Sequence, residues 1–240
     1  MIAENLARVQ RRIARAAERA GRHPADITLV GVTKTRPVAA MLEAYRAGLR
    51  HFGENRVEEM AEKTPPFLSA TDPADPPVMH MIGHLQSRKV AAALQHAQLI
   101  HSVDTLKLAQ RIDRLARRDG HPPVPVLLEC NISGEATKAG FRLAGWEKDS
   151  DVREAFLRDV AAMLNLSHLR VQGLMTMAPI VADPEETRPI FRSLRCLLTL
   201  CAERFPQADW QHLSMGMTDD FEVAVEEGAT FVRVGRAIFD

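Results

Sequence analysis

The run Val30-Gly31-Val32-Thr33-Lys34-Thr35-Arg36-Pro37 puts an amine at the end of a β-branched stretch, with a proline three residues on. The pattern predicts a strand ending at Lys34, a turn, and a helix opened by Pro37. Two readings suit such a lysine. It can be a rim residue with its ammonium in water. It can also be a Schiff-base lysine, whose partly desolvated amine gives up its proton and attacks an aldehyde. Near the other end of the chain, Ser214-Met215-Gly216 offers a hydroxyl in an amide-rich turn, and Gly235-Arg236 offers a second turn before a short terminal helix. Free N–H groups at such places favour an anion, although plain turn chemistry accounts for either alone. Asp219, Asp220 and Glu222 crowd the start of the intervening helix; they should cap it well and repel phosphate. The anion is therefore assigned to the loop amides and Ser214. Arg233 alternates with Phe231 and Gly235 against Val232 and Val234. It points into a site or pairs with a carboxylate on a neighbouring strand.

Other chemistries fall away on spacing. There is no H-E-x-x-H, no Cys/His cluster at zinc spacing, no G-x-S-x-G and no Walker loop. Met175, Met177, Met215 and Met217 are expected to pack. Cys130, Cys196 and Cys201 lie in apolar runs without CxxC spacing, which predicts buried free thiols in a reducing compartment. Lys plus Arg balances Asp plus Glu at 31 each, which argues against a protein built to grip nucleic acid or an acidic membrane. The amino terminus is charged from its fourth residue and no apolar run approaches a membrane span, so a soluble, cytoplasmic protein is expected.

The elements that must position these groups alternate along the whole chain. Strand signals fall at 27–33, 49–53, 78–83, 98–103, 124–131, 168–175, 210–214 and 230–235. Helix signals fall at 2–20, 37–47, from about 56 to 63, 86–95, 105–119 (capped by Asp104), 151–165, 184–204 and 219–227. Five prolines between residues 64 and 77 exclude helix and central strand there, which predicts an exposed loop far from the chemistry. Residues 132–150 read as a long polar segment. Parallel strands need helical crossovers, so eight such units in 240 residues predict an α/β fold: a single (β/α)8 TIM barrel over residues 1–240 with an extra N-terminal helix. A doubly wound open sheet is the alternative, weakened because no G-x-G-x-x-G follows the first strand. In a barrel the strand ends gather at one mouth, and Lys34, both glycine turns and Arg233 all sit at or near strand ends.

Seven motifs in order carry a resemblance. They are Gly31-Val-Thr-Lys34-Thr, His51-Phe-Gly-Glu-Asn55, His80-Met-Ile-Gly-His-Leu-Gln86, Asn131-Ile-Ser-Gly-Glu135 with Lys138-x-Gly140, Gly173-Leu-Met175, Leu213-Ser-Met-Gly-Met217 and Arg233-Val-Gly-Arg-Ala-Ile-Phe239. Together they resemble the pyridoxal phosphate homeostasis proteins, also called the YggS or proline synthase co-transcribed family. The resemblance implies a barrel like the alanine racemase N-terminal domain, with pyridoxal 5'-phosphate (PLP) held as an internal aldimine on Lys34. It implies Asn55 near the ring hydroxyl and Ile82 packing near the ring. It further implies phosphate held by Ser214 and the backbone around Met215, Gly216, Gly235 and Arg236, and Arg233 facing the pyridine nitrogen.

An arginine at that nitrogen disfavours its protonation and weakens the ring as an electron sink. Racemisation also needs an acid–base group on each face. The single tyrosine, Tyr45, is placed mid-helix, away from the mouth, where it should pack. Binding is thus better supported than turnover. The reading is a monomeric carrier that stores, buffers or hands PLP to apo-enzymes, with a weak amino-acid racemase as the alternative. A cofactor-free Schiff-base aldolase is a third. The segment 132–151 is expected to cover the cofactor or meet a recipient, with Glu135 and Lys138 as contacts or solvated charges.

Overall fold

The computed structural model describes residues 1–240. Eight parallel strands close into a barrel wrapped by helices, as the alternation of strand and helix signals predicts. The strands are β1 (Thr28–Val32), β2 (His51–Glu54), β3 (Val78–Met81), β4 (Leu99–Val103), β5 (Val124–Asn131), β7 (Leu169–Met175), β8 (His212–Ser214) and β9 (Phe231–Val234). Their order round the ring is β4-β3-β2-β1-β9-β8-β7-β5, and β4 pairs with β5 to close it. A two-residue strand, β6 (Phe141–Arg142), pairs with the end of β5 at the mouth.

Two apolar layers follow from this closure. The larger lies between strands and helices and joins 56 buried residues. The smaller lies inside the barrel and holds Val30, Leu99, Leu127, Met175 and Phe231. The rest of the interior is polar. His80, His101, Ser214, Glu129 and Arg233 are all buried.

Helix α1 (Ile2–Arg19) buries Leu6, Val9, Ile13, Ala16 and Ala17 along one stripe, each large aliphatic contributing about 1.5–3 kcal/mol. It packs on α2 (Val38–Arg46), α8 (Phe221–Glu226) and α9 (Arg236–Phe239). Because α9 is a single turn, α1 covers the part of the barrel that a full eighth helix would take.

Several expectations are corrected. Helix α3 (Val57–Ser69) runs straight through Pro65 and Pro66. Both prolines are exposed, and Phe67, fully buried one residue later, anchors the last turn. Burial of that ring outweighs the amide bonds the prolines remove. Thr105, not Asp104, caps α5 (Leu106–Arg118): its hydroxyl accepts the Leu108 N–H at 3.2 Å, while Asp104 pairs with His84. The segment before α6 (Ser150–Leu164) is not simply polar, since Leu143 and Trp146 are buried in the main core. Of the cysteines, Cys130 and Cys201 are buried, but Cys196 is exposed on α7 (Arg188–Arg204). Tyr45 is buried on α2; its hydroxyl donates to the Asp75 carbonyl and accepts the Asp72 N–H, tying down the 70–77 loop. No helix is long and apolar enough to cross a membrane.

Candidate functional site

A cavity of about 650 Å³ opens at the carboxyl ends of the strands. Lys34, just past β1, lies on its wall, as do Asn55 past β2 and Ile82 and Gly83 past β3. His84 past β3, Glu129 on β5 and Arg233 on β9 add polar groups to the lining, with Met177 and Met217 beside them.

The turn that carries Lys34 is held from below. Thr33 donates its hydroxyl to Glu54 Oε1 at 2.7 Å. Lys63 Nζ reaches the Thr33 carbonyl, Glu54 Oε1 and Glu59 Oε2, at 3.0, 3.0 and 2.8 Å. Glu59 also accepts the N–H of Thr35 at 2.8 Å. Thr35 has φ of 62°, the one non-glycine residue in the left-handed region. A β-branched residue there is strained, and the Glu54–Lys63–Glu59 clasp keeps it in place. Lys34 itself is exposed toward the cavity and its ammonium makes no ion pair or hydrogen bond within the chain.

Arg233 is almost wholly buried. It donates to Ser214 Oγ at 2.6 Å and to the Thr176 carbonyl at 2.9 Å. Burial pulls its pKa down to about 10, opposed by Asp220 and Glu129. No carboxylate pairs with it directly, so its charge is not cancelled at the cavity floor. Glu129 sits four places round the ring from β1, across the mouth from Lys34. One of its oxygens is buried without a partner. Burial pushes this carboxyl up to about 7, with Asp104 adding to the shift.

The segment after β5 closes one side. Asn131 accepts the Gly134 N–H and donates to the carbonyls of Glu135 and Lys138. Thr137, Lys138 and Ala139 thereby join the wall. Lys138 pairs with Glu135 and donates to the Met177 carbonyl at 3.1 Å, latching this segment to the end of β7.

Residues 5–240 match the family described as alanine racemase, N-terminal domain. A Pseudomonas aeruginosa protein named pyridoxal phosphate homeostasis protein is 41% identical over 99% of this chain and 94% of its own length. The chain belongs to the pyridoxal phosphate homeostasis protein family. A solved structure of similar shape is that of PipY of Synechococcus elongatus, determined with PLP bound; it is 34% identical over all of both chains, with a TM-score of 0.81. Alanine racemase of Clostridium difficile, 13% identical with a TM-score of 0.64, shares the fold alone; 95% of this chain covers 55% of that one.

Of the residues expected at the site, Lys34, Asn55, Ile82 and Arg233 share the cavity wall. Ser214 and Met215 are fully buried and are not on that wall. Gly216 and Gly235 flank it in the loops after β8 and β9, and their N–H groups make no hydrogen bond within the chain. Gly216 has φ of +91°, and a Cβ there would meet Ala224 Cβ at 2.6 Å, so only glycine fits. Arg236 is exposed and pairs with Asp219. The acids expected to repel an anion are thus engaged: Asp219 by Arg236, Asp220 by the Met217 N–H, and Glu222 by Arg12 at 2.8 Å. Asp220 does not cap α8 with its side chain, contrary to expectation.

Sequence reasoning missed Glu129, the Glu54–Lys63–Glu59 clasp and the interior histidines. A signal for Glu129 was present: one carboxyl in the apolar run Val124 to Cys130, where an uncompensated charge needs a reason.

Proposed function

We propose that this chain binds pyridoxal 5'-phosphate through Lys34 and serves its homeostasis by storing, buffering or delivering it. The observation that carries this reading is the Lys34 amine, unpaired and open to a walled cavity. The rest of the site fits the cofactor. An aldehyde needs such an amine, a phosphate needs free N–H donors such as those of Gly216 and Gly235, and an aromatic nitrogen needs a donor such as Arg233. When bound, the cofactor supplies an electron sink. The chain's own part is to bind and orient it, with Ile82 against the ring, Asn55 at its hydroxyl side and residues 137–139 shielding it from water. Arg233 opposes protonation of the ring nitrogen, so the site favours holding over turnover. The protein is read as a cytoplasmic monomer that passes the cofactor to apo-enzymes.

Borohydride reduction of the loaded protein followed by peptide mass analysis tests the assignment. The expected result is one reduced adduct on Lys34, lost in Lys34→Ala. An adduct on another lysine, or undiminished visible absorbance in Lys34→Ala, would overturn it.

Glu129 favours a second reading, a weak amino-acid racemase. It is a buried carboxyl that exchanges its proton near pH 7, across the mouth from Lys34, and racemisation needs acid–base groups on both faces. Incubation with each L-amino acid in deuterated water decides. Exchange at the α-carbon that disappears in Glu129→Gln supports turnover; no exchange with any of them leaves the carrier.

A further inference from the structure

Inside the barrel, three imidazoles stand in a hydrogen-bonded file. His51 Nδ1 lies 2.9 Å from His80 Nε2, and His80 Nδ1 lies 2.9 Å from His101 Nε2. His101 Nδ1 lies 2.8 Å from Ser214 Oγ, the atom that accepts from Arg233. His80 and His101 are fully buried, while His51 is half-buried beside a hollow at the foot of the barrel. The ring of Phe231 touches all three, at centroid distances of 6.4, 5.6 and 5.4 Å.

We propose that this file is the positioning device of Arg233: it fixes the direction of the Ser214 hydroxyl and so holds the guanidinium at the cavity floor without a carboxylate partner. Donors and acceptors fix the direction of the file. A guanidinium only donates, so Ser214 Oγ must accept from Arg233. Ser214 is fully buried, and its own hydrogen needs an acceptor. The nitrogen within reach is His101 Nδ1, which must then be bare. The His101 proton sits on Nε2 and donates to His80 Nδ1. The His80 proton sits on Nε2 and donates to His51 Nδ1. One donor-only group thus sets the tautomer of every ring in the file, and all three are Nε2–H. Reversing the file would strand the buried Ser214 hydrogen. His80 and His101 are fully buried against Phe231, so neither ring can flip to relieve the constraint locally. His51, His80 and His101 are therefore positioning residues, acting on the cavity only through Ser214 and Arg233. That Arg233 in turn meets a cofactor ring rests on the reading above.

Two measurements test the file. Long-range proton–nitrogen correlation spectra of the 15N-labelled, ligand-free protein at neutral pH read each tautomer directly. The expected result is a protonated Nε2 and a bare Nδ1 on His51, His80 and His101. A protonated Nδ1 on His101, or averaged tautomers, would overturn the proposal. Because no cofactor is present, this outcome is independent of whether Lys34 carries an adduct. The second measurement is the dissociation rate of pyridoxal 5'-phosphate from His101 variants. His101→Leu leaves Ser214 free to turn and should release it about tenfold faster, the loss of one buried hydrogen bond. His101→Asn, whose Oδ1 can take the place of Nδ1, should restore most of the wild-type rate. A folded His101→Leu with the wild-type rate and unchanged Arg233 side-chain resonances would also overturn it.

Discussion

At the scale of single residues, the site depends on contacts that leave no room for substitution. Gly83 is the sharpest case. A Cβ added there would lie 2.2 Å from the Asn55 carbonyl oxygen and 2.7 Å from Asn55 Cα, both backbone atoms. The two residues touch on the cavity wall, so the loops after β2 and β3 would have to part. Gly83→Ala should cost about 1–3 kcal/mol, as overpacking does, and weaken ligand binding as well; the urea midpoint and a binding titration on the same variant check both. Arg233 makes a different demand. Its two donors reach Ser214 and the Thr176 carbonyl at once, a fork that an ammonium cannot reproduce. Arg233→Lys should therefore lower stability by about 1–3 kcal/mol through one unmade buried bond, seen as a lower urea midpoint with an unchanged slope.

At the scale of elements, a clasp between α3 and the ends of β1 and β2 sets where Lys34 stands. The Lys63 side chain is 11% exposed and that of Glu54 is wholly buried, so removing the cation strands a buried charge. Lys63→Met should cost about 3–5 kcal/mol, measured by urea unfolding, and release the strained Thr35 turn. The same helix shows where the sequence is legible and where it is not. Strand ends, and with them Lys34, Asn55 and Arg233, could be read because β-branched runs and punctuating glycines are local signals. The passage of α3 through Pro65 and Pro66 could not, because the ring that holds it, Phe67, is anchored by packing on Phe52 and Tyr45 far away in the chain. The core role of Trp146 was hidden in the same way: its ring NH donates to Ser193, which lies on α7. Interior prolines cost helices about 3 kcal/mol each relative to alanine. Replacing Pro65 and Pro66 together by alanine should thus raise the urea midpoint; a fall would mean that their rigidity in the unfolded chain outweighs the lost amide bonds.

At the scale of the molecule, the barrel interior is polar where such barrels commonly carry branched aliphatics, and this makes the fold sensitive to acid. Burial pulls His80 down to about 3 and His101 well below the ordinary 6.5. Both stay neutral in the folded barrel at pH values where an unfolded chain protonates them. Between pH 6.5 and 3 these two rings therefore bind more protons in the unfolded state, and their contribution to stability rises with pH across that window. The contribution is complete above about 6.5 and is lost as pH falls. Glu129 acts in the opposite sense: raised to about 7, it holds a proton in the folded state that the unfolded chain gives up above 4.5, so its contribution declines between 4.5 and 7. Glu54 and Asp220, also raised by burial, oppose the histidines likewise. A difference between two chains isolates the histidine term, because these carboxyls are common to both. The stability of the wild type minus that of His101→Asn should fall by about 1.4 kcal/mol for each pH unit lowered below 6, one proton per molecule. Urea titrations at half-unit intervals from pH 4.5 to 7 measure it. Parallel curves for the two proteins would mean that His101 is protonated in the folded barrel, and that the interior file does not exist as a neutral hydrogen-bonded row.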